Sequence, residues 1–187
     1  LWAVNSSYGP SLIIDYSDDS IFMMNNAANP GQGKKIVKYS SEGNLIFQKT
    51  LSQESNFSGN FSAGSDIFCY NQYICLSVTD DNCPGLYFYD KYTGEFIDQY
   101  LFNSLSTEFN IPQSNFQQPR TFTTFHNNLV FSIKSNYNSV SQCFLVNFSM
   151  NTEISTSSSV YYPIDDSNLY HLTPDSTNLI MISPSGL

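Results

Sequence analysis

The sequence has few charged residues, few basic residues and no long apolar run. Charged residues make up 12% of the 187 residues, about half of the share that is usual in a soluble domain. Seven residues are basic, one of them arginine, and the net charge is −9. So few cations cannot neutralise a phosphate backbone, which argues against a nucleic-acid-binding protein. No apolar run approaches the roughly 20 residues that span a bilayer, so we expect no membrane span.

Aromatic and apolar residues, in contrast, are abundant. Aromatic side chains supply 16% of the residues and apolar ones 41%, which rules out a disordered acidic tail. A chain of this length can bury about 70% of the surface that its unfolded state exposes. We therefore expect a sizeable core in one or two domains.

The ends of the chain suggest a processed or partial protein. Leu1 is not preceded by a charged and then apolar leader, and the strand-like residues 1–4 begin at once. The other end, Leu187, comes just after an apolar run, where a further strand would be natural.

Four cysteines are spaced six, eight and sixty residues apart, and this spacing matches no metal site. They are Cys69, Cys75, Cys83 and Cys143. Four cysteines allow three fully paired connectivities, and sequence does not choose among them. The four cysteines can form two disulfides in a secreted protein, or they can be inert buried thiols. If disulfides form, Cys75 with Cys83 is the first pair to test.

Four Asn-x-Ser sequons are candidate N-glycosylation sites, at Asn5, Asn56, Asn60 and Asn147. The abundance of Asn, Ser and Thr predicts about four such triplets by chance. Together with the low charge and the candidate disulfides, however, they favour an extracellular or cell-surface glycoprotein that carries N-linked glycans.

Short apolar strands around polar turns recur along the chain about every fifty residues. Each unit begins with a hairpin whose turn precedes an apolar run, and the spacing from turn to turn is 53, 56 and 49 residues. The turns are Asp18-Asp19, Asn71-Gln72, Asn127-Asn128 and Ser176-Thr177, and the runs after them are 21–24, 73–76, 129–131 and 179–182.

A second hairpin follows in the first three units. The strand, turn and returning strand lie at 36–39, 42–43 and 44–47; at 86–89, 93–94 and 95–97; and at 144–146, 150–151 and a degenerate 152–154. Gly43, Gly94 and Asn151 are residue types that tolerate the positive φ of a tight turn.

These units predict an all-β protein with the four-stranded antiparallel blades of a β-propeller. The repeats run roughly over 9–51, 62–103 and 118–157, with a partial fourth over 168–187. Residues 1–187 thus form a single propeller-like domain or a fragment of one. Because no long segment has an apolar period of 3.6, we expect almost no helix beyond one turn at 102–109.

Two segments resemble the repeat of the quinoprotein-dehydrogenase-like, or PQQ-repeat-like, propellers. Residues 9–14, with Gly9-Pro10 before an apolar strand, resemble the first half of that repeat. Residues 89–97 resemble the Asp-x-x-Thr-Gly-Glu turn of the second half, and residues 38–45 are a weaker copy. The adjacent cysteines of the family's enzymes are missing, so the resemblance implies the shape alone, without cofactor or activity.

The sequence allows three arrangements of the predicted repeats. The chain can be a fragment of a larger propeller, or residues 2–4 can supply the outer strand of the fourth unit and close a four-bladed ring. In the third arrangement the blade edges stay open, which would favour a polymer or a fixed partner because exposed edges are templates for strand pairing.

The sequence gives little evidence for a catalytic site. The acidic doublets Asp18-Asp19, Asp80-Asp81 and Asp165-Asp166 are interpreted as turn or loop residues rather than calcium ligands or acid–base pairs. His126 and His171 lie in no nucleophile or metal motif. We expect no enzyme, no metal and no cofactor.

The remaining candidates are the aromatic residues Tyr87, Phe88, Tyr89, Tyr92, Phe96, Tyr100, Tyr161 and Tyr162. Packing between blades explains them best, and a protein interface or a glycan platform are the alternatives. The sequence therefore predicts a non-catalytic assembly module that binds other protein chains, or copies of itself, in an extracellular fibre or coat. A ligand- or glycan-binding propeller is the alternative, and a degenerate quinoprotein-like enzyme the third hypothesis.

Overall fold

The computed structural model describes residues 11–25, 35–51, 66–80, 83–151, 153–154, 157–164, 171–174 and 178–182. These residues form β-strands and one α-helix. Three antiparallel sheets have four strands each, and a fourth sheet has two. The predicted all-β fold class and its four-stranded antiparallel units are confirmed.

Each sheet, numbered I to IV here, is a meander in which consecutive strands lie side by side. Sheet I contains β1 (Ser11–Asp15), β2 (Ser20–Asn25), β3 (Lys35–Tyr39) and β4 (Leu45–Thr50). Sheet II contains β5 (Ile67–Tyr70), β6 (Tyr73–Asp80), β7 (Cys83–Asp90) and β8 (Phe96–Leu101). Sheet III contains β9 (Arg120–Phe125), β10 (Asn128–Tyr137), β11 (Val140–Ser149) and β12 (Ser158–Ile164). Sheet IV contains β13 (His171–Pro174) and β14 (Leu179–Ile182).

Tight turns form where the sequence supplies residues that accept a positive φ. Gly43 has a φ of 86° between β3 and β4, and Gly94 has a φ of 74° between β7 and β8. Asn71 has a φ of 54° between β5 and β6. The third unit turns at His126 and Asn127, with φ of 49° and 62°. This is one residue earlier than predicted, because Asn128 already pairs with Phe125.

The segment that joins sheets II and III contains helical structure. Helix α1 spans Ser104–Phe109 and ends at Asn110, whose φ is 52°. A 3-10 turn at Gln113–Asn115 follows. The buried side chain of Leu105 anchors the helix in the core between the two sheets. The helical turn predicted at 102–109 is confirmed.

The last strand of the third unit lies later than predicted. The strand expected at 152–154 is wrong, since residues 153–154 lie in a turn and β12 begins at Ser158. β12 pairs with β11 from Ser149↔Ser158 to Cys143↔Ile164. Its serine-rich start hides it from a search for apolar runs, and the pairing with β11 forms it. Pro163 is tolerated because β12 is an edge strand.

Sheet II lies between sheets I and III and is covered on both faces. Along β7, Leu86 and Phe88 belong to the core with sheet III, whereas Tyr87 and Tyr89 belong to the core with sheet I. All four side chains are at most 1% exposed. Successive side chains of a strand point to opposite faces, so a strand buried throughout requires a partner on each side.

Aromatic rings fill much of the two inter-sheet cores. Most of the aromatic residues singled out in the sequence pack there, as predicted. Tyr100 and Phe88 of sheet II lie 4.8 and 6.1 Å, centroid to centroid, from the ring of Phe148 in sheet III. Such pairs add to the free energy of apolar burial. The exceptions are Tyr92 and Tyr162, which are exposed.

Within the part of the chain that the structure describes, α1 has six residues, and no helix there is long and apolar enough to cross a membrane.

Candidate functional site

A cluster of four charged residues lies between sheets I and II, at the turn end of β1, and three of them, Asp15, Lys38 and Lys91, are buried. The Lys91 Nζ lies 2.8 Å from the Asp15 Oδ2 and donates to the Ser17 Oγ at 2.9 Å. The Lys38 Nζ donates to the Asp18 Oδ2 at 3.0 Å and to the backbone oxygen of Lys91 at 3.2 Å. The Lys91–Asp15 pair thus crosses the contact between the sheets, whereas the Lys38–Asp18 pair lies within sheet I and reaches sheet II through the backbone of Lys91.

The turn after β1 holds both carboxylates in place. The Asp15 Oδ1 accepts from the backbone N–H and the hydroxyl of Ser17, at 3.0 and 2.7 Å. The Asp18 Oδ1 accepts from the backbone N–H of Ser20 at 3.0 Å. Such local bonds from Asp to the backbone two residues on define the turn. The interpretation of Asp18-Asp19 as turn residues is confirmed, but Asp18 also has an ion pair.

On the other side of the cluster, the turn after β7 positions Lys91. The Asp90 Oδ1 accepts the backbone N–H groups of Tyr92 at 2.9 Å and Thr93 at 2.8 Å, and Gly94 closes the turn with a positive φ. This is the Asp-x-x-Thr-Gly segment singled out in the sequence. The Tyr92 ring lies 5.3 Å from the Lys91 Nζ and 5.4 Å from the Lys38 Nζ, within range of cation–π attraction.

The ionised forms of this cluster stabilise one another. Burial raises the pKa of the Asp15 carboxyl, but the hydrogen bonds from Lys91 and Ser17 outweigh it and hold the pKa below its usual value. Burial lowers the pKa of Lys91, but its hydrogen bond and attraction to Asp15 raise it above the usual value. Burial also raises the pKa of the Asp18 carboxyl, but the hydrogen bonds from Ser20 and Lys38 outweigh it and hold this pKa below its usual value. These groups stay charged at neutral pH and join sheet I to sheet II.

A weaker polar contact joins sheets II and III. The backbone N–H of Thr121 donates to the Asp66 Oδ2 at 3.3 Å. Thr121 lies in an irregular part of β9, where its φ is 60°. Burial raises the pKa of the Asp66 carboxyl despite this bond and the nearby Arg120.

A groove of about 600 Å³ runs along the first strands of sheets I, II and III. Residues 12–17 of β1 and its turn form one wall, and Phe68, Cys69 and Thr124 form the rest. A second groove, of about 330 Å³, continues past Cys69 towards His126. A concave, mainly apolar groove with a few polar groups is the usual shape of a small-molecule site. Burial raises the pKa of Cys69 to about 12, so this thiol is not a nucleophile at neutral pH.

None of the four candidate cysteines forms a disulfide in the structure. Cys75, Cys83 and Cys143 are buried and Cys69 is half-buried. The suggested pair of Cys75 and Cys83 is wrong. In the β6–β7 pairing Cys83 lies opposite Asp80, five residues along β6 from Cys75, which separates the two by about 16 Å. A disulfide needs Cα atoms within about 7 Å.

Of the four sequons, the structure describes Asn147, and Asn5, Asn56 and Asn60 lie outside the described residues. Asn147 lies in β11, an inner strand of sheet III, between Val130 of β10 and Val160 of β12. Its side chain is half-buried on the face of sheet III that points away from sheet II. Glycosylation of these four residues stays a prediction.

The other singled-out residues lie in different strands and turns, as far as the structure describes them. His126 stacks on its neighbour Phe125 at 4.1 Å, centroid to centroid, and His171 begins β13. Asp80 ends β6, and Asp81, Asp165 and Asp166 lie outside the described residues. In the described ranges no group of three or more His, Cys, Asp or Glu side chains could hold a metal ion.

The outer face of sheet I, defined as the face that points away from sheet II, is apolar. Strand register places two rows across it, Leu12, Met23 and Val37 in the first and Ile14, Ile21, Tyr39 and Leu45 in the second. Met23 and Val37 at its centre are buried, but at its edges Leu12 is 56% and Leu45 58% exposed. A solvated sheet face normally carries polar residues.

Sequence reasoning missed the lysines of the charge cluster. The apolar strand predicted at 36–39 includes Lys38, although the alternation that points Ile36 inward also points Lys38 inward. Lys91 stands at an unspecified position of the Asp-x-x-Thr-Gly-Glu turn. The alternation of β3 is a signal that could have found Lys38, but contact with Asp18 depends on the register with β2.

Comparison of the chain with protein-family models, with curated proteins and with solved structures found no match. The resemblance to quinoprotein-dehydrogenase-like propellers stays a prediction, and the structure and its chemistry carry the functional argument.

Proposed function

We propose that this chain is a non-catalytic, propeller-like assembly module that associates with other copies of itself through the outer face of sheet I. The observation that carries this proposal is the contrast between sheets I and II. Sheet II is buried on both faces by its neighbours, whereas sheet I keeps the apolar residues Leu12, Ile14, Leu45 and Ile46 exposed around the buried centre of its outer face. Apolar surface of this kind is typical of interaction sites.

The stacking of the sheets supports the propeller-like arrangement. β1 contacts β5, and β9 contacts β13. Phe68 of β5 stacks on Phe122 of β9 at 5.9 Å, centroid to centroid, so the first strands of successive sheets are neighbours. The sheets pack face to face through the cores described above. Radial strands with adjacent inner edges characterise the blades of a propeller. In such an arrangement each sheet of the repeat completes the packing of the next, and the outer face of sheet I fits a sheet of another copy.

An extracellular location is part of the proposal. The four sequons and the low fraction of charged residues support it, because glycans can supply solubility that charges otherwise give. The thiols do not bear on it, since buried cysteines occur in every compartment.

Sedimentation velocity over a range of concentrations tests the association. We expect the wild-type chain to form larger species as its concentration rises, and Leu45→Glu and Ile46→Glu to weaken this at least tenfold. Ile97→Glu is the matched control, since Ile97 is 48% exposed on the outer strand of sheet II, close to the 49% of Ile46. A wild-type chain that stays monomeric at every concentration, or equal effects of all three variants, would overturn the proposal.

The groove along β1, β5 and β9 favours a second function, the binding of a small apolar ligand or a sugar. Its apolar wall with Ser17, Asp15 and Thr124 nearby combines the two features that such ligands need. Glycan-array and small-molecule screens test this function. Binding that Thr124→Trp abolishes, with the fold intact, would support it, and an absence of binding would remove it.

A further inference from the structure

The two grooves described above meet and form one continuous depression. Cys69 of β5 and Thr124 of β9 line both of them. The larger groove, of about 600 Å³, follows β1, and the smaller groove, of about 330 Å³, is lined by the turns after β5 and β9. Each volume lies in the range of about 300–1,000 Å³ that is usual for small-ligand sites. A ligand that fills both grooves therefore consists of several linked units.

Each end of this depression has an exposed aromatic ring. At the β1 end, Tyr16 is 87% exposed and lines the larger groove. At the other end, the ring of the exposed His126 stacks on the half-buried Phe125, with the centroids 4.1 Å apart and the planes 25° apart, and both residues line the smaller groove. The electron-rich face of an aromatic ring attracts the C–H groups that a sugar ring presents on its own face. A ring at each end therefore suits a chain of sugar units.

Uncharged polar side chains complete the smaller groove. Asn71, Thr124 and Asn127 are exposed and line it. An asparagine amide and a threonine hydroxyl each both donate and accept hydrogen bonds, as the neighbouring hydroxyls of a sugar do. A purely apolar ligand would cover these groups without pairing them, which costs free energy. The lining of the smaller groove thus favours a sugar over an apolar compound.

The two turns that line the smaller groove are joined to each other. The Tyr70 hydroxyl donates to the backbone oxygen of Asn127 and has a hydrogen bond with the Asn71 side chain. Asn71, His126 and Asn127 have φ of 54°, 49° and 62°, so each turn has a tight and defined backbone. A site that is formed before the ligand arrives loses less conformational entropy on binding.

The charges near the grooves favour a neutral ligand. Asp15 lines the larger groove, but its carboxylate forms an ion pair with Lys91. Neither lysine nor arginine occurs among the described residues that line the two grooves. The net charge of −9 also repels anions. An acidic sugar would therefore find no cation to pair with in the grooves.

We propose that the two grooves together bind a neutral oligosaccharide, with one sugar ring on His126 and further rings along β1 towards Tyr16. The inference rests on the second function proposed above, ligand binding in the groove along β1, β5 and β9, and names its ligand class. Asn71, Thr124 and Asn127 hydrogen-bond the hydroxyls of the sugar ring that lies on His126.

A panel of neutral hexasaccharides of glucose, galactose, mannose, xylose or N-acetylglucosamine tests the inference by isothermal titration calorimetry. We expect at least one of them to bind saturably and at least tenfold more tightly than its own monosaccharide, because the longer ligand reaches both grooves. Raising the salt concentration should leave this affinity unchanged, since the ligand has no charge.

Variants at the two ends of the depression test the aromatic rings. His126→Asn removes the ring but keeps a residue type that accepts a positive φ, and it should weaken hexasaccharide binding at least tenfold. Tyr16→Ala should do the same. Tyr162→Ala is the control, because Tyr162 is 49% exposed on β12, outside both grooves, and it should leave the affinity unchanged.

Three results would count against the inference: no binding of any panel member at millimolar concentration, hexasaccharide binding that His126→Asn leaves unchanged, and tighter binding of sialyllactose than of lactose. Its failure is distinguishable from that of the proposed groove function. An apolar compound whose binding Thr124→Trp abolishes, with no sugar bound, keeps the groove function and refutes the sugar. Sugar binding that Thr124→Trp leaves unchanged places the sugar outside the grooves and refutes both. Self-association through sheet I is measured separately by sedimentation.

Discussion

The Lys91 ammonium of sheet II lies 2.8 Å from the Asp15 carboxylate of sheet I, and both side chains are more than nine-tenths buried. The two residues are 76 positions apart in the sequence, so their contact exists only when the two sheets pack together. Removing one member of such a pair leaves the other buried without its counter-charge. The stability of the contact between sheets I and II therefore depends on this pair.

Lys91→Met should lower the free energy of unfolding by about 3–5 kcal/mol, because Asp15 is left charged and buried. Lys49→Met is the control: Lys49 pairs with Glu95 across the same two sheets, but this pair is solvent-exposed and should contribute at most about 1 kcal/mol. Urea denaturation measures both. The double variant Lys91→Met with Asp15→Leu should recover part of the loss, and equal losses in the two lysine variants would contradict the importance of burial.

Stability should fall at both ends of the pH range. Asp15 and Asp18 have lowered pKa values in the folded state, so their contribution is present above the usual value of 3.8 and is lost as the pH falls through the folded values. Lys91 has a raised pKa, so its contribution is present below 10.5 and is lost as the pH rises through the folded value. Urea titrations from pH 2 to 11 measure this, and both slopes should be smaller in Lys91→Met. Identical slopes in the two proteins would refute the role of the pair.

Gly94→Ala should destabilise the fold by about 2 kcal/mol or more, for two reasons. Its φ of 74° disfavours any side chain, and an added Cβ would lie 2.7 Å from the Phe47 ring of sheet I. Gly43→Ala, at a φ of 86°, should cost about 1–2 kcal/mol from the backbone alone. Thermal unfolding compares the two. Adding Phe47→Leu should recover part of the Gly94→Ala loss, and no recovery would contradict the steric term.

Thr121→Gly should stabilise the protein by about 0.5–1 kcal/mol. A β-branched residue at a φ of 60° is strained, and glycine removes the strain while its N–H still donates to Asp66. Thr123→Gly in the same strand is the control and should destabilise the protein by about 1 kcal/mol, since glycine weakens an ordinary strand position. Chemical denaturation measures both, and a loss of stability in Thr121→Gly would contradict the strain.

All four cysteines should titrate as thiols with Ellman's reagent in denaturant, and the buried ones should react slowly in the native protein. A reducing agent should leave the melting temperature unchanged. Fewer than four thiols, or a melting temperature that falls on reduction, would show a disulfide that the structure lacks.

Much of the strand pattern could be predicted from the sequence because it depends on local chemistry. Gly43, Gly94 and Asn71 are of the few residue types that readily adopt a positive φ, and the apolar runs between them are too short for helices. The helical turn of α1 was also predicted at the correct residues. Where the local signal was weak, as in the serine-rich start of β12, the prediction placed the strand wrongly because only pairing with β11 forms it.

The candidate sites were much less predictable. The suggested pair of Cys75 and Cys83 failed because closeness in sequence says nothing about strand register, which sets them five residues apart along the ladder. The alternation of β3 points Lys38 inward, but the contact of Lys91 with Asp15 could be found only after the packing of sheet I on sheet II was known.

By itself, then, the sequence determined the four-unit repeat, the meander order and the turns, since backbone preference and apolar alternation act over a few residues. The tertiary structure alone decided which charges meet, which cysteines stay apart and which apolar side chains of sheet I are exposed. Those properties depend on burial and on register between strands far apart in the chain, and a linear pattern does not contain them.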